Sequence, residues 1–211
     1  MSDFFQGFGD DDGGMRGLAR DLGFRFTEEL DRQYKHDNPA GMPAMPLFRH
    51  GTSTPITELA YGRFGGIDVQ VFDYATYSYP DDPGNERRTC LLFTFPGDFP
   101  MLTAGPHTRL SGINERNSNA FHQRFRVMSR DPDATKLIID DTMQRWLMSA
   151  DESLRIEWTG GGVLGHVPLI DAASIPVLLP QVYGVFLRIP DAAGWSLTVD
   201  PATGSSTLER S

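Results

Sequence analysis

The sequence has one cysteine, Cys90, in 211 residues, so an intrachain disulfide is impossible and no cysteine-based metal site can form. A reducing compartment is the expectation. Lysine is nearly absent: all of the 19 basic residues except Lys35 and Lys136 are arginine. Against 28 acidic residues this leaves a net charge of −9, which argues against a duplex nucleic acid partner, because such binding rests on basic side chains displacing counterions from phosphates. A long hydrophobic run is also missing. The longest apolar-looking stretch, Ile175 to Ile189, is broken by Pro176, Pro180, Gln181 and Arg188 and falls short of the ~20 residues a bilayer-spanning helix needs. The start, Met1-Ser2-Asp3-Phe4-Phe5, offers neither a basic segment nor an apolar one of secretory type. The expected location is the cytoplasm, with peripheral membrane association left open.

With 39% hydrophobic and 11% aromatic residues the chain can bury a real core, and its 22 glycines and 15 prolines stay below the ~25–30% that marks low-complexity sequence. Residues 1–14 hold Asp3, Asp10, Asp11 and Asp12 among glycines and are expected to be a flexible acidic leader, with Phe4, Phe5 and Phe8 as its apolar content. Met15, Leu18, Ala19 and Leu22 recur at helical spacing and Gly23 follows where a helix-stopping glycine belongs. Phe24 to Thr27 alternates like a strand. Asn38 to Pro46, with three prolines, reads as extended linker.

Residues 56–64 and 67–79 form two β-rich runs joined at Gly65-Gly66, and Arg88 to Phe95 adds a third strand of a meander. Phe121 to Met128 alternates apolar and polar as a half-buried strand. Asp131-Pro132-Asp133 announces a helix, with the cap, the first-position proline and the acidic first turn in order. A second helix is expected from Asp141 in the manner of a capping box, carrying Met143, Trp146, Leu147 and Ala150. Leu154 to Trp158, a turn at Gly160-Gly161-Gly162, and Val163 to Leu169 make another hairpin; Val177 to Ile189 then shows helical spacing, with Pro180 in its first turn or at a kink. Residues 201–211 are expected to fray. The fold class is α+β: an antiparallel or mixed sheet of hairpins with short helices packed on it, in a domain over 15–200 that is either one unit or two lobes meeting near 96–118.

Candidate chemistry is sparse. Gly160-x-Gly162-x-x-Gly165 matches a dinucleotide fingerprint and follows a strand, but Pro168 stands where the required helix should run, so a glycine-rich turn is the reading. The histidines at 36, 50, 107, 122 and 166 are never two, three or four apart, which excludes the local zinc motifs. Asp10 to Gly14 shares only composition with a calcium loop. No Gly-x-Ser-x-Gly elbow exists, Cys90 sits in an apolar strand with no flanking Lys or His to lower its pKa, and the pairs Asp81-Asp82 and Asp140-Asp141 suit turn and cap duty. No catalytic residue, cofactor site or metal site is assigned. The candidate surface is the aromatic end of the second hairpin strand, Tyr74, Tyr77 and Tyr79, with Arg87 and Arg88 across the turn, because Tyr and Arg are enriched at protein interfaces.

The stretch from Asn119 through Phe121, Phe125, Val127, Asp131 and Ala134 to Met143 and Leu147 resembles a bacterial domain family of unknown function, best represented among actinobacteria. Leu22-Gly23-Phe24 and the hairpin Tyr61 to Tyr74 with its Phe72-Asp73-Tyr74 are similar to that family too, so the resemblance spans most of residues 15–190. It implies a strand leading into a helix pair and then a hairpin, and it transfers no catalytic residue. Many relatives carry membrane-spanning helices beside this domain; no such run is present here. The functional expectation is a non-enzymatic cytoplasmic binding or scaffold protein with an unidentified protein partner. The alternative is a small-ligand sensor or enzyme with a loop-built pocket between two lobes, lined by residues such as His107, Arg109 and Asn114.

Overall fold

The structure is a computed structural model that describes residues 14–28, 45–49, 52–53, 56, 58–77, 86–94, 101–107, 119–159, 161–188, 195–199 and 206–210. Gly65 and Gly66 both take positive φ, 57° and 82°, and turn β3 (Leu59–Phe64) back onto β4 (Ile67–Tyr77) in the register Phe64 to Ile67. Glycine reaches this backbone region without steric cost, which is why the pair closes so tight a hairpin. β5 (Glu86–Thr94) continues the meander. Its other edge receives β9 (Gly162–Pro168), hairpin partner of β8 (Arg155–Thr159), and beyond β8 lie β6 (Leu102–Pro106) and β7 (Phe125–Ser129). With β1 (Arg25–Thr27) beside β3 and β2 (Thr52–Ser53) beside the end of β4, the sheet has nine strands, every neighbouring pair antiparallel. The fold is therefore α+β with an antiparallel sheet. β6 lies within the expected lobe boundary yet sits inside this one sheet, between β8 and β7.

Both faces of the sheet centre are buried. Alternation sends Val69, Val71, Leu91, Phe93, Ile156 and Trp158 to one face, where α1 (Met15–Leu22), α5 (Asp141–Ser149) and α6 (Ile175–Tyr183) cover them. The opposite face carries Phe72, Tyr74, Cys90, Leu92 and Leu164, packed against Met45, Ile56 and Leu59 with Leu47 and Phe48 over them. Here the sequence expectation needs correcting. Asn38 to Pro46 reads as linker; its residues 38–44 lie outside the described residues, but Met45 is wholly buried and Pro46–Arg49 forms the short helix α2 on the sheet. Its proline-rich approach hid a hydrophobic anchor. Complete burial of a side chain like Phe72 contributes about 1.5–3 kcal/mol, so this small cover is a real part of the core.

Local signals explain the helices. α1 ends at Gly23, left-handed at φ 66°, with Phe24 N–H returning to Ala19 O. α4 (Pro132–Ile138) begins at Asp131, whose carboxylate accepts from the backbone N–H of Asp133 and Ala134. α5 is capped one residue earlier than expected: Asp140 accepts from Met143 N–H at 2.8 Å, and Asp141 is the acidic first residue. Residues 121–128 depart more. α3 (Ala120–Arg124), capped by Asn119, precedes the strand, and Phe121 stacks on Phe125 with centroids 5.3 Å apart. A spacing of four keeps two side chains on one face in a strand and in a helix alike, so the period could not separate them. The C-terminal residues expected to fray instead include Ser206–Arg210, strand β11, paired with β10 (Trp195–Val199) in a hairpin.

Candidate functional site

Strand alternation disperses the five residues of the aromatic and arginine cluster. Tyr74 is only 2% exposed, and its ring meets Phe48 edge-on at 5.1 Å. It belongs to the interior rather than to a contact surface, because α2 covers the face to which even-numbered positions of β4 point. Tyr77 closes β4 opposite Thr52, while Tyr79 lies outside the described residues. Arg87 and Arg88 are consecutive in β5 and point to opposite faces. Arg87 is exposed, with Nη2 3.8 Å from Asp73 Oδ2. Asp73 also accepts from Thr89 Oγ1 at 2.9 Å, and Thr89 Oγ1 in turn accepts from Ile170 N–H at 3.2 Å. Burial raises the Asp73 pKa, opposed by the Thr89 bond and by Arg87.

Arg88 reaches a buried polar cluster that the sequence did not reveal. Its Nη1 stands 3.4 Å from Nδ1 of His166 on β9, and His166 Nε2 stands 3.5 Å from Oε1 of Glu157 on β8. Glu157 Oε2 accepts the Leu47 backbone N–H at 3.0 Å, tying α2 to the sheet across 110 residues of chain. Arginine offers only donors, so Nδ1 is the acceptor and the neutral ring carries its proton on Nε2, toward the carboxylate. The Nε2···Oε1 approach lacks hydrogen-bond alignment, and Nε2 has no other partner among the described residues. Burial lowers the His166 pKa; the Glu157 carboxylate works against that and Arg88 and Arg155 work with it.

Cys90 lies opposite His166 in register, so thiol, imidazole and carboxylate occur in sequence across three strands. These are the residue types of a nucleophilic triad, yet a thiol attacks only as thiolate. Cys90 is fully buried, and its pKa is raised well above the usual thiol range by that burial and by the charges of Asp73 and Glu157, with Arg88 opposing. The arrangement holds α2 on the sheet and keeps the thiol neutral. The residues it joins are 67 and 9 positions apart in order, at no motif spacing, which is why only the sheet register exposes them.

The other candidates resolve as follows. In the glycine-rich run, Gly161 supplies the turn at φ 84°, Gly162 begins β9, and Gly165 lies beneath Val182 of α6. His107 Nε2 is 3.0 Å from the His122 carbonyl; Arg109 and Asn114 lie outside the described residues. Among the described residues no group of three or more His, Cys, Asp or Glu could hold a metal ion, and no helix is long and apolar enough to cross a membrane.

No family model matches the sequence, and no curated protein matches it. Among solved structures it is similar to the crystal structure of the mycobacterial trehalose monomycolate transport factor A, TtfA, with a TM-score of 0.58 at 16% identity. The match covers 83% of this chain and 94% of that one. At this identity the likeness shows a shared fold.

Proposed function

We propose that this protein is a non-enzymatic binding or scaffold component that serves a membrane transport assembly from the cytoplasmic side. The observation that carries the reading is the fold shared with a transport factor over 94% of that protein's solved chain. The polar cluster is in keeping with it: Glu157 and Arg88 serve internal contacts under α2, and Cys90 is a buried neutral thiol. Contact with the partner is assigned to the strand end that holds Tyr77 and the exposed Arg87, since arginine and tyrosine anchor interfaces through large contact area with a polar tip.

The test is affinity recovery of the tagged full chain from its own cells, resolved into soluble and membrane fractions, beside a variant carrying Tyr77→Ala and Arg87→Ala. The expected result is a stoichiometric membrane transport component that is lost from the double variant while its melting temperature is unchanged. Recovery of the chain alone from the soluble fraction would overturn the transport role. Retention of the component by the folded double variant would overturn the site.

A further inference from the structure

Residues 172–187 contain no charged side chain, and α6 occupies most of that window. Its inner face is ordinary: Ile175, Leu178, Leu179 and Val182 are buried on the sheet. Its outer face is not. Val177 is 66% exposed and Leu187, one short turn past the helix, is 57% exposed, with Pro176 and Pro180 exposed beside them. A surface helix ordinarily carries charge outward, and a helix apolar on all sides is ordinarily covered.

We propose that this ridge is covered by the aromatic N-terminal segment of the same chain, residues 1–13 with Phe4, Phe5 and Phe8. α1 lies beside the turn Ala172–Ser174 that leads directly into α6, and Ala172 packs against the hydrophobic core to which Met15, Leu18 and Ala19 belong. The segment is thus tethered next to the ridge. Gly14, at the start of α1, has extended backbone with φ −83° and ψ −165°. At about 3.3–3.6 Å per residue, Phe8 is within about 20 Å of Gly14 and Phe4 within about 35 Å, against roughly 14 Å for the nine-residue helix. Short tethers give effective concentrations in the millimolar range, enough for a few aromatic contacts to hold a segment that would bind weakly if free.

Because Cys90 is buried, a cysteine placed at position 2 can be spin-labelled selectively in the full chain. Paramagnetic broadening is then read at the methyl groups of Val177 and Leu187. The expected result is broadening of both in a sample diluted with unlabelled protein, and its loss when Phe4, Phe5 and Phe8 are replaced by Ala. Those replacements leave residues 15–188 untouched, so the fold is checked independently by the remaining methyl spectrum. Three results would overturn the proposal: no broadening; broadening that survives the replacements; or broadening only between labelled and isotope-labelled molecules in a mixture, which would assign the ridge to a second copy.

Discussion

Val182 stands directly over Gly165: a Cβ on that glycine would lie 2.3 Å from Val182 Cγ2, far inside contact distance. Gly165 therefore sets how closely α6 can approach β9, which is a packing role for the last glycine of the apparent nucleotide motif. Gly165→Ala is expected to destabilise the protein by about 1–3 kcal/mol, the usual cost of overpacking. Val182→Ala in the same chain is expected to relieve part of that loss. Urea midpoints of the two single variants and the double variant give the coupling; strict additivity would contradict the packing role.

Glu157 links β8 to α2 through the Leu47 N–H, and its acceptor oxygen matters more there than its charge. Glu157→Ala leaves that N–H facing no acceptor. The expected cost is about 1–3 kcal/mol, the penalty of buried donors left unmet. Glu157→Gln retains a carbonyl acceptor and is expected to lose less. Equal losses in the two variants would mean that the bond to Leu47 does not hold the cover.

The sequence spoke clearly where structure is local. Gly65-Gly66, Gly23 and Asp131-Pro132 each act within a few residues through backbone conformation or an N-cap, and each is found in its expected place. It misled where one spacing serves two structures, as with Phe121 and Phe125, and where an anchor hides behind prolines, as with Met45. The burial of Tyr74 follows from that second case, since it is the return of α2 that covers its face of β4. The His166, Glu157 and Arg88 cluster depends on the register that sets β5 beside the distant β8–β9 hairpin, information that no single segment contains.

Cys90 reports on the same cover. A thiol that is fully buried with its pKa raised is expected to react with a soluble disulfide reagent only when α2 or the whole fold opens. Labelling in native buffer should be slow and should accelerate in Glu157→Ala, in which the tie to Leu47 is lost. Measured by stopped reaction and mass, a rate equal to that of the unfolded chain would show that the second face of the sheet is open to solvent.

His166 gives stability a definite pH dependence. Burial lowers its pKa below the ordinary histidine value of 6.5, so between the folded pKa and 6.5 the unfolded chain binds more protons than the folded one. The neutral ring's full contribution is therefore present above about pH 6.5 and is lost as pH falls toward the folded pKa, with a slope of at most about 1.4 kcal/mol per unit. Asp73 acts in the opposite sense: its raised pKa gives stability that is present below 3.8 and lost as pH rises through the folded value. Comparison with His166→Gln separates the two, since that variant keeps Asp73 and removes only the imidazole. Urea unfolding from pH 5 to 8 is expected to show stability falling toward pH 5 in the native chain and a flatter profile in the variant. The same slope in both would mean that the ring is solvated, and that burial beside Arg88 does not hold it neutral beneath α2.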